Sequence, residues 1–167
     1  MGPDKLKILF LCTGNSARSI LAEYLIRRAD RGQRFESASA GTVPKGEVNP
    51  LALQVLRDVY KVDASDARSK STDEYAHVKF DFVITVCDSA RETCPIWPGQ
   101  PVVAHWGMPD PAAMEGTPEE KLRAFKGAAV ELNRRLELFC NLPFDKLDRL
   151  RLEQLTREIG GRQAVEA

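Results

Sequence analysis

Chemistry in this chain is concentrated in one stretch, Leu9-Phe10-Leu11-Cys12-Thr13-Gly14-Asn15-Ser16-Ala17-Arg18-Ser19. The apolar run Ile8 to Leu11 reads as a short buried strand. A polar break at Gly14-Asn15 follows, and a helical pattern resumes from Ser19 through Ile20, Leu21, Tyr24 and Leu25. A thiol therefore stands at the carboxyl end of a strand, with an arginine at the mouth of a helix. The backbone N–H groups of Thr13, Gly14, Asn15, Ser16, Ala17 and Arg18, joined to the helix N-terminus, make a cradle for a tetrahedral oxyanion. The same field favours thiolate over thiol and turns Cys12 into a nucleophile. Arg18 can grip two oxygens with its planar fork, which an ammonium cannot do. Ser19 is placed to donate a hydrogen bond to the sulfur as it attacks and later leaves.

Two further stretches carry reactive side chains. Val86-Cys87-Asp88-Ser89-Ala90-Arg91-Glu92-Thr93-Cys94-Pro95 holds a thiol at a strand end and a second thiol seven residues on. That spacing is wider than the usual zinc knuckle, and the chain has only His77 and His105 to complete a set. His105-Trp106-Gly107-Met108-Pro109-Asp110-Pro111-Ala112 places an aspartate before a proline, which biases Asp110 to an extended backbone and so sets the direction of its carboxylate. Cys140 ends an apolar helix face and reads as a small buried hydrophobe. Trp97 and Trp106 read as packing residues.

The elements that must position these groups alternate. Strands are expected at Ile8 to Leu11, Phe35 to Gly41, Phe80 to Val86 and Pro101 to Trp106, and helices from Ser19 to near Gly32 and from Asn49-Pro50 to about Lys61. Asp73 to His77 reads as one helical turn. Thr117-Pro118-Glu119-Glu120 is a strong helix start for a segment running to about Asn141. Asp145 is expected to cap a last helix, amphipathic through Leu147, Leu150, Leu152 and Leu155 and closing at Gly160-Gly161. The pattern predicts one three-layer αβα domain over residues 1–167, with a four-stranded parallel sheet. Ligands bind at the carboxyl edge of such sheets, and Cys12, Cys87 and the segment after Trp106 all follow strand ends.

Lys+Arg and Asp+Glu balance at 24 each, so no long-range field points to nucleic acid or an anionic membrane. No apolar run reaches the roughly 18 residues of a membrane span. A monomer in the cytoplasm is expected, where four cysteines are more readily catalytic, redox-active or buried than a disulfide framework.

Cys12-Thr13-Gly14-Asn15-Ser16-Ala17-Arg18-Ser19 resembles the phosphate-binding loop of the low-molecular-weight protein tyrosine phosphatase superfamily, in wording closest to its arsenate reductases. Ile84 to Pro95 resembles the redox loop of the thioredoxin-coupled members. The resemblance implies an arsenate reductase in which Cys12 is the nucleophile, Cys87 the first resolving thiol, Cys94 the second and Asp110 the general acid. Thioredoxin or glutaredoxin is then the reductant, and phosphate and sulfate are competing oxyanions. No cofactor is required, although some reductases of this type hold potassium near the loop. Asn15, Glu23 and Ser39 match that site, and Ser71 and Asp73 match loosely. Two departures stand out. Ala17 replaces a second loop cysteine found in many members, and Ala112-Ala113 replaces the paired tyrosines with which the phosphatases hold an aromatic substrate. A phosphatase acting on phosphomonoesters needs Cys12, Arg18 and Asp110 but has no use for Cys87 or Cys94. A non-enzymatic redox sensor would use those two thiols and ignore Arg18 and Asp110.

Geometry makes the relay testable. In an unbroken helix from Cys87 to Cys94 the two Cα atoms would stand about 10 Å apart. A disulfide needs them about 4.4–6.8 Å apart. Residues 88–93 are therefore expected to lose helical protection on oxidation, bringing the disulfide towards solvent. Amide exchange on reduced and oxidised protein, with the Cys87–Cys94 bond verified by mass spectrometry, checks this; equal protection in both states rules the switch out.

Overall fold

The computed structural model describes residues 5–87 and 97–161. Cys94 and the segment expected to switch on oxidation lie outside the described residues. In chain order the elements are β1 (Leu6–Cys12), α1 (Arg18–Ala29), β2 (Phe35–Gly41), α2 (Pro50–Asp58), β3 (Phe82–Thr85), β4 (Val102–His105), α3 (Pro118–Cys140) and α4 (Arg149–Gly161). Single 3₁₀ turns lie at Thr72–Tyr75 and Pro111–Ala113.

The four strands form one parallel sheet in the order β2-β1-β3-β4. Ile8, Leu9, Phe10 and Leu11 are all fully buried, so both faces of the central strand are covered. A strand buried on both faces must be apolar without alternation, which is how this run reads. On one face Phe35, Phe82, Phe139 and Phe144 form a cluster, and Trp106 meets Phe10 and Phe139. Such ring pairs contribute about 0.5–1.5 kcal/mol each beyond their burial.

The chain turns from β1 to β2 on one side and then crosses to β3 on the other. The sheet therefore has its switch point between β1 and β3, where loops diverge and leave a crevice at the carboxyl edge. Cys12 closes β1 and Cys87 lies two residues beyond β3, one on each side of that crevice.

Helix boundaries differ from expectation for identifiable reasons. α1 stops at Ala29, and the Asp30 carboxylate then receives the Phe35 N–H at 2.7 Å. α2 stops at Asp58, and Lys61, at φ 58°, turns the chain away. Asp145 does not cap the last helix. Phe144 is drawn into the aromatic cluster, residues 142–146 stay in tight turns, and Asp148 accepts from Arg151 N at 2.8 Å at the start of α4. Leu150 is exposed, and the buried residues of α4 are Thr156 and Ile159.

Gly160 is a packing residue rather than a helix stop. A Cβ there would lie 2.3 Å from the His105 carbonyl oxygen and 2.5 Å from Trp106 Cδ1, while Trp106 Nε1 donates to Thr156 O at 2.9 Å. Gly160→Ala should cost about 1–3 kcal/mol despite the gain in helix propensity, because backbone must move. Gly161, with no atom within 4 Å of its would-be Cβ, supplies the control. Urea midpoints of the two variants check the contrast; equal midpoints would show that β4 and α4 do not need the close approach.

Candidate active site

Loop residues 12–17 owe their shape to where their carbonyls go. Thr42 N donates to Cys12 O, Val43 N to Thr13 O, Lys45 N to Gly14 O and Asn49 N to Ser16 O, at 3.2, 2.9, 2.9 and 2.9 Å. With those carbonyls drawn outward, the next N–H in each trans peptide points the opposite way, into the cradle. Asn15 N follows that rule and donates to Cys12 Sγ at 3.2 Å. Gly41 makes the approach feasible, since a Cβ there would sit 2.6 Å from Thr13 O. α1 begins without a side-chain cap, unlike α2 and α3, which leaves its first N–H groups to face the cradle.

Cys12 is buried at 3% exposure, with Ser19 Oγ 2.9 Å from its sulfur. Asn15 Nδ2 donates to Ser19 Oγ at 2.8 Å and to Ser39 Oγ at 3.0 Å, while Asn15 Oδ1 accepts from Lys70 N at 2.7 Å. Since Ser19 accepts from Asn15, its own hydrogen is available to the sulfur.

Arg18, the first residue of α1, and Asp110, in the segment after β4, come together. Arg18 Nη1 donates to Met108 O at 3.0 Å, and Arg18 Nη2 stands 3.7 Å from Asp110 Oδ2. The other Asp110 oxygen accepts from Ala112 N at 3.0 Å, so the Asp-Pro turn fixes the carboxylate. Cys12, Thr13, Gly14, Ser16, Ala17, Arg18 and Asp110 line one cleft of about 500 Å³ with Val43, Pro44 and Lys45. Cys87 is buried, and its sulfur lies 3.3 Å from Thr13 Oγ1, which brings a second thiol to the edge of the cradle.

Among the residues expected at a potassium site, Asn15, Glu23 and Ser39 do converge, and all three are buried. Ser39 donates to Glu23 Oε1. The fit to a metal ion fails because a cation is already there: the Lys70 ammonium lies 3.5 Å from Ser39 Oγ and 3.6 Å from Glu23 Oε1, while Lys70 N donates to Asn15 Oδ1. Ser71 is occupied in capping the 3₁₀ turn through Asp73 N. No cluster of three or more His, Cys, Asp or Glu able to hold a metal occurs among the described residues.

Sequence reasoning missed Lys70, which sits in a polar stretch with no periodicity to mark it as buried. It also missed Lys45 at the cleft and the hold of Arg135, a buried guanidinium on α3, on Gly107 O at 3.3 Å. Cys140 stands apart from the cleft; burial pushes its thiol up to about 12, so it stays protonated and inert.

A model of the family described as low molecular weight phosphotyrosine protein phosphatase matches residues 7–149. This chain belongs to that family. Within it, the chain is 38% identical over 137 residues to an arsenate reductase of Halalkalibacterium halodurans, covering 82% of this chain and 96% of the relative. It is 37% identical over 133 residues to an arsenate reductase of Bacillus subtilis, covering 80% and 94%. Its fold matches the low molecular weight protein tyrosine phosphatase of T. tengcongensis with a TM-score of 0.67 at 26% identity, covering 80% of this chain and 96% of that one. The thioredoxin-dependent arsenate reductase of Corynebacterium glutamicum matches with a TM-score of 0.57 at 30% identity, covering 83% of this chain and 65% of that one. No helix among the described residues is long and apolar enough to cross a membrane.

Cys12→Ser should lower oxyanion chemistry of any kind by more than about 10³-fold, since a serine hydroxyl is a far weaker nucleophile in the same cradle. Arg18→Lys should cost about 10²-fold or more through loss of the bidentate grip. Hydrolysis of an activated phosphate ester and reduction of arsenate, measured on one preparation of each variant, check both; a near wild-type rate for either variant refutes its residue's role.

Proposed function

We propose that this chain is a thiol-dependent arsenate reductase working through Cys12, Cys87 and Cys94. The observation that carries the reading is the buried Cys87 thiol beside Thr13. A phosphatase needs one thiol, and here a second stands at the edge of the same cradle, across the switch point. The names of the relatives support the same reading.

Arsenate enters the cradle as a tetrahedral anion. Cys12 thiolate attacks arsenic, and Asp110 protonates a departing oxygen, which leaves as water. An adduct with a sulfur–arsenic(V) bond remains, held by Arg18 and the loop N–H groups. Cys87, as thiolate, attacks Cys12 Sγ. The sulfur–arsenic bond breaks, its electron pair stays on arsenic, and arsenite leaves with a Cys12–Cys87 disulfide behind it. Cys94 then attacks Cys87, releases Cys12 as thiolate and closes a Cys87–Cys94 disulfide. The two electrons given to arsenic are restored by an external dithiol of the thioredoxin or glutaredoxin kind. Phosphate and sulfate, alike in shape and charge, compete for the cradle. One chain carries every step, and the protein acts as a monomer.

Phosphomonoester hydrolysis through a Cys12 phosphoenzyme uses the same Arg18 and Asp110 and is the expected side activity. Ala112 and Ala113 supply no aromatic wall for a phosphotyrosine ring, so a small naked oxyanion suits the cleft better.

Arsenate-dependent NADPH oxidation coupled through thioredoxin and its reductase, beside phosphatase activity in the same preparation, separates the readings. Cys87→Ser and Cys94→Ser should each lose more than about 10²-fold in multiple-turnover reduction while keeping phosphate-ester hydrolysis within about threefold. Undiminished arsenate turnover in both variants would eliminate the relay, and hydrolysis without any wild-type reduction would make the chain a phosphatase.

A further inference from the structure

One buried charge behind the cradle has no part in the steps above. Lys70 lies between α2 and the first 3₁₀ turn, with 5% of its surface exposed. Its backbone is tied on both sides: Gly41 N donates to Lys70 O at 2.8 Å, and Lys70 N donates to Asn15 Oδ1 at 2.7 Å. Its ammonium donates to Arg68 O at 2.8 Å and reaches Ser39 Oγ at 3.5 Å and Glu23 Oε1 at 3.6 Å. Glu23 is 6% exposed, and its other oxygen meets Arg27, a guanidinium at the rim, at 3.4 Å. The remaining charges near Lys70 are Arg68 and Glu74 on its own segment, which pair with each other at 2.9 Å. Burial pulls the Lys70 ammonium below its ordinary range, and the Glu23 carboxylate opposes that pull.

Glu23 is the end of a one-way chain of donors. Cys12 Sγ receives from Ser19, Ser19 from Asn15 Nδ2, and Ser39 receives from the same Nδ2 while donating to Glu23. A carboxylate at this depth needs a cation beside it, and the Lys70 ammonium faces Glu23 Oε1 across 3.6 Å. With that ammonium removed, Glu23 is left with Arg27 at the rim, and the Ser39–Asn15 arrangement that aims Ser19 at the sulfur loosens.

We propose that Lys70 is a built-in monovalent cation that stands where an ion would otherwise lie among Asn15, Glu23 and Ser39, pairing with the buried Glu23 carboxylate and keeping the Asn15–Ser19 donors aimed at Cys12. An ammonium and a potassium ion carry the same charge and are close in size, and the tethered one cannot dissociate. Lys70 is thus a positioning residue that acts on the sulfur through Glu23 and four hydrogen bonds, and the protein needs no added cation. The inference rests on Cys12 being the nucleophile proposed above. Its test requires no arsenate, so it can fail while the reductase reading stands, and the reverse.

The readouts are the rate at which iodoacetamide alkylates Cys12 at pH 7, followed by peptide mass spectrometry, and the thermal midpoint. Each is measured in potassium chloride and in tetramethylammonium chloride at about 100 mM, so that screening is matched. The wild-type protein should give the same rate and midpoint in both salts. Lys70→Ala should alkylate about tenfold more slowly in tetramethylammonium chloride and recover to within about twofold of wild type in potassium chloride. Lys70→Met, whose stem fills the space without charge, should be slow in both. Lys70→Arg, which keeps a cation, should retain the wild-type rate. A wild-type protein that responds specifically to potassium overturns the proposal even if the uncharged variants fail to fold. So does wild-type alkylation by Lys70→Ala and Lys70→Met in tetramethylammonium chloride.

Discussion

The side-chain amide of Asn15 is the interaction on which the cradle depends. Asn15 is fully buried at φ 46°, a left-handed backbone that costs most residues about 1–2 kcal/mol. Three hydrogen bonds hold it there: both amide hydrogens are spent, on Ser19 and Ser39, and the oxygen accepts from Lys70 N. A buried polar group left unpaired costs about 1–3 kcal/mol, so undoing this amide would cost more than the backbone strain it sustains. The reward is local. With Asn15 so placed, its N–H meets Cys12 Sγ, and the loop carbonyls are left to the 42–49 segment.

Topology explains why the second thiol stands where it does. In the order β2-β1-β3-β4 only the β1 and β3 ends flank the switch point, and these are the strands that deliver Cys12 and Cys87. The same arrangement lets Arg18 be ordered before any anion arrives. Its fork is tied to Met108 O and faces Asp110, whose carboxylate is 36% exposed at 3.7 Å. An ion pair so exposed contributes about 0–1 kcal/mol, so a doubly charged oxyanion displaces it readily. Asp110 is then left beside the bound anion, where its proposed role as general acid requires it.

The helices after the site look unrelated to chemistry and nevertheless aim it. Arg135 of α3 holds Gly107 O, and α4 clamps Trp106 through Thr156 O and the bare backbone of Gly160. The segment carrying Asp110 is therefore fixed at its start by two helices and further along by Arg18. Of the leucines that looked like the inner face of α4, Leu152 and Leu155 are only half-buried and Leu150 is exposed.

Reactive residues were legible in the sequence because their signals are local. The apolar run before Cys12, the Gly-Asn break and the helical spacing after Ser19 define strand, loop and helix within about twenty residues, and Asp-Pro and Thr-Pro-Glu-Glu mark turn and cap by themselves. Strand ends then placed Cys12, Cys87 and Asp110 on one edge of a parallel sheet without coordinates. Tertiary structure alone decided which partners those groups meet. The carbonyl pattern that turns loop N–H groups inward comes from residues 42–49, and the bond that fixes Asn15 joins positions 55 apart in sequence. Glu23 could as well have been a solvated helix residue, and nothing in Arg68-Ser69-Lys70-Ser71 distinguishes a buried ammonium from a surface one. Periodicity reports which face of an element is apolar, whereas the pairing of polar groups depends on distances between elements that no local pattern encodes.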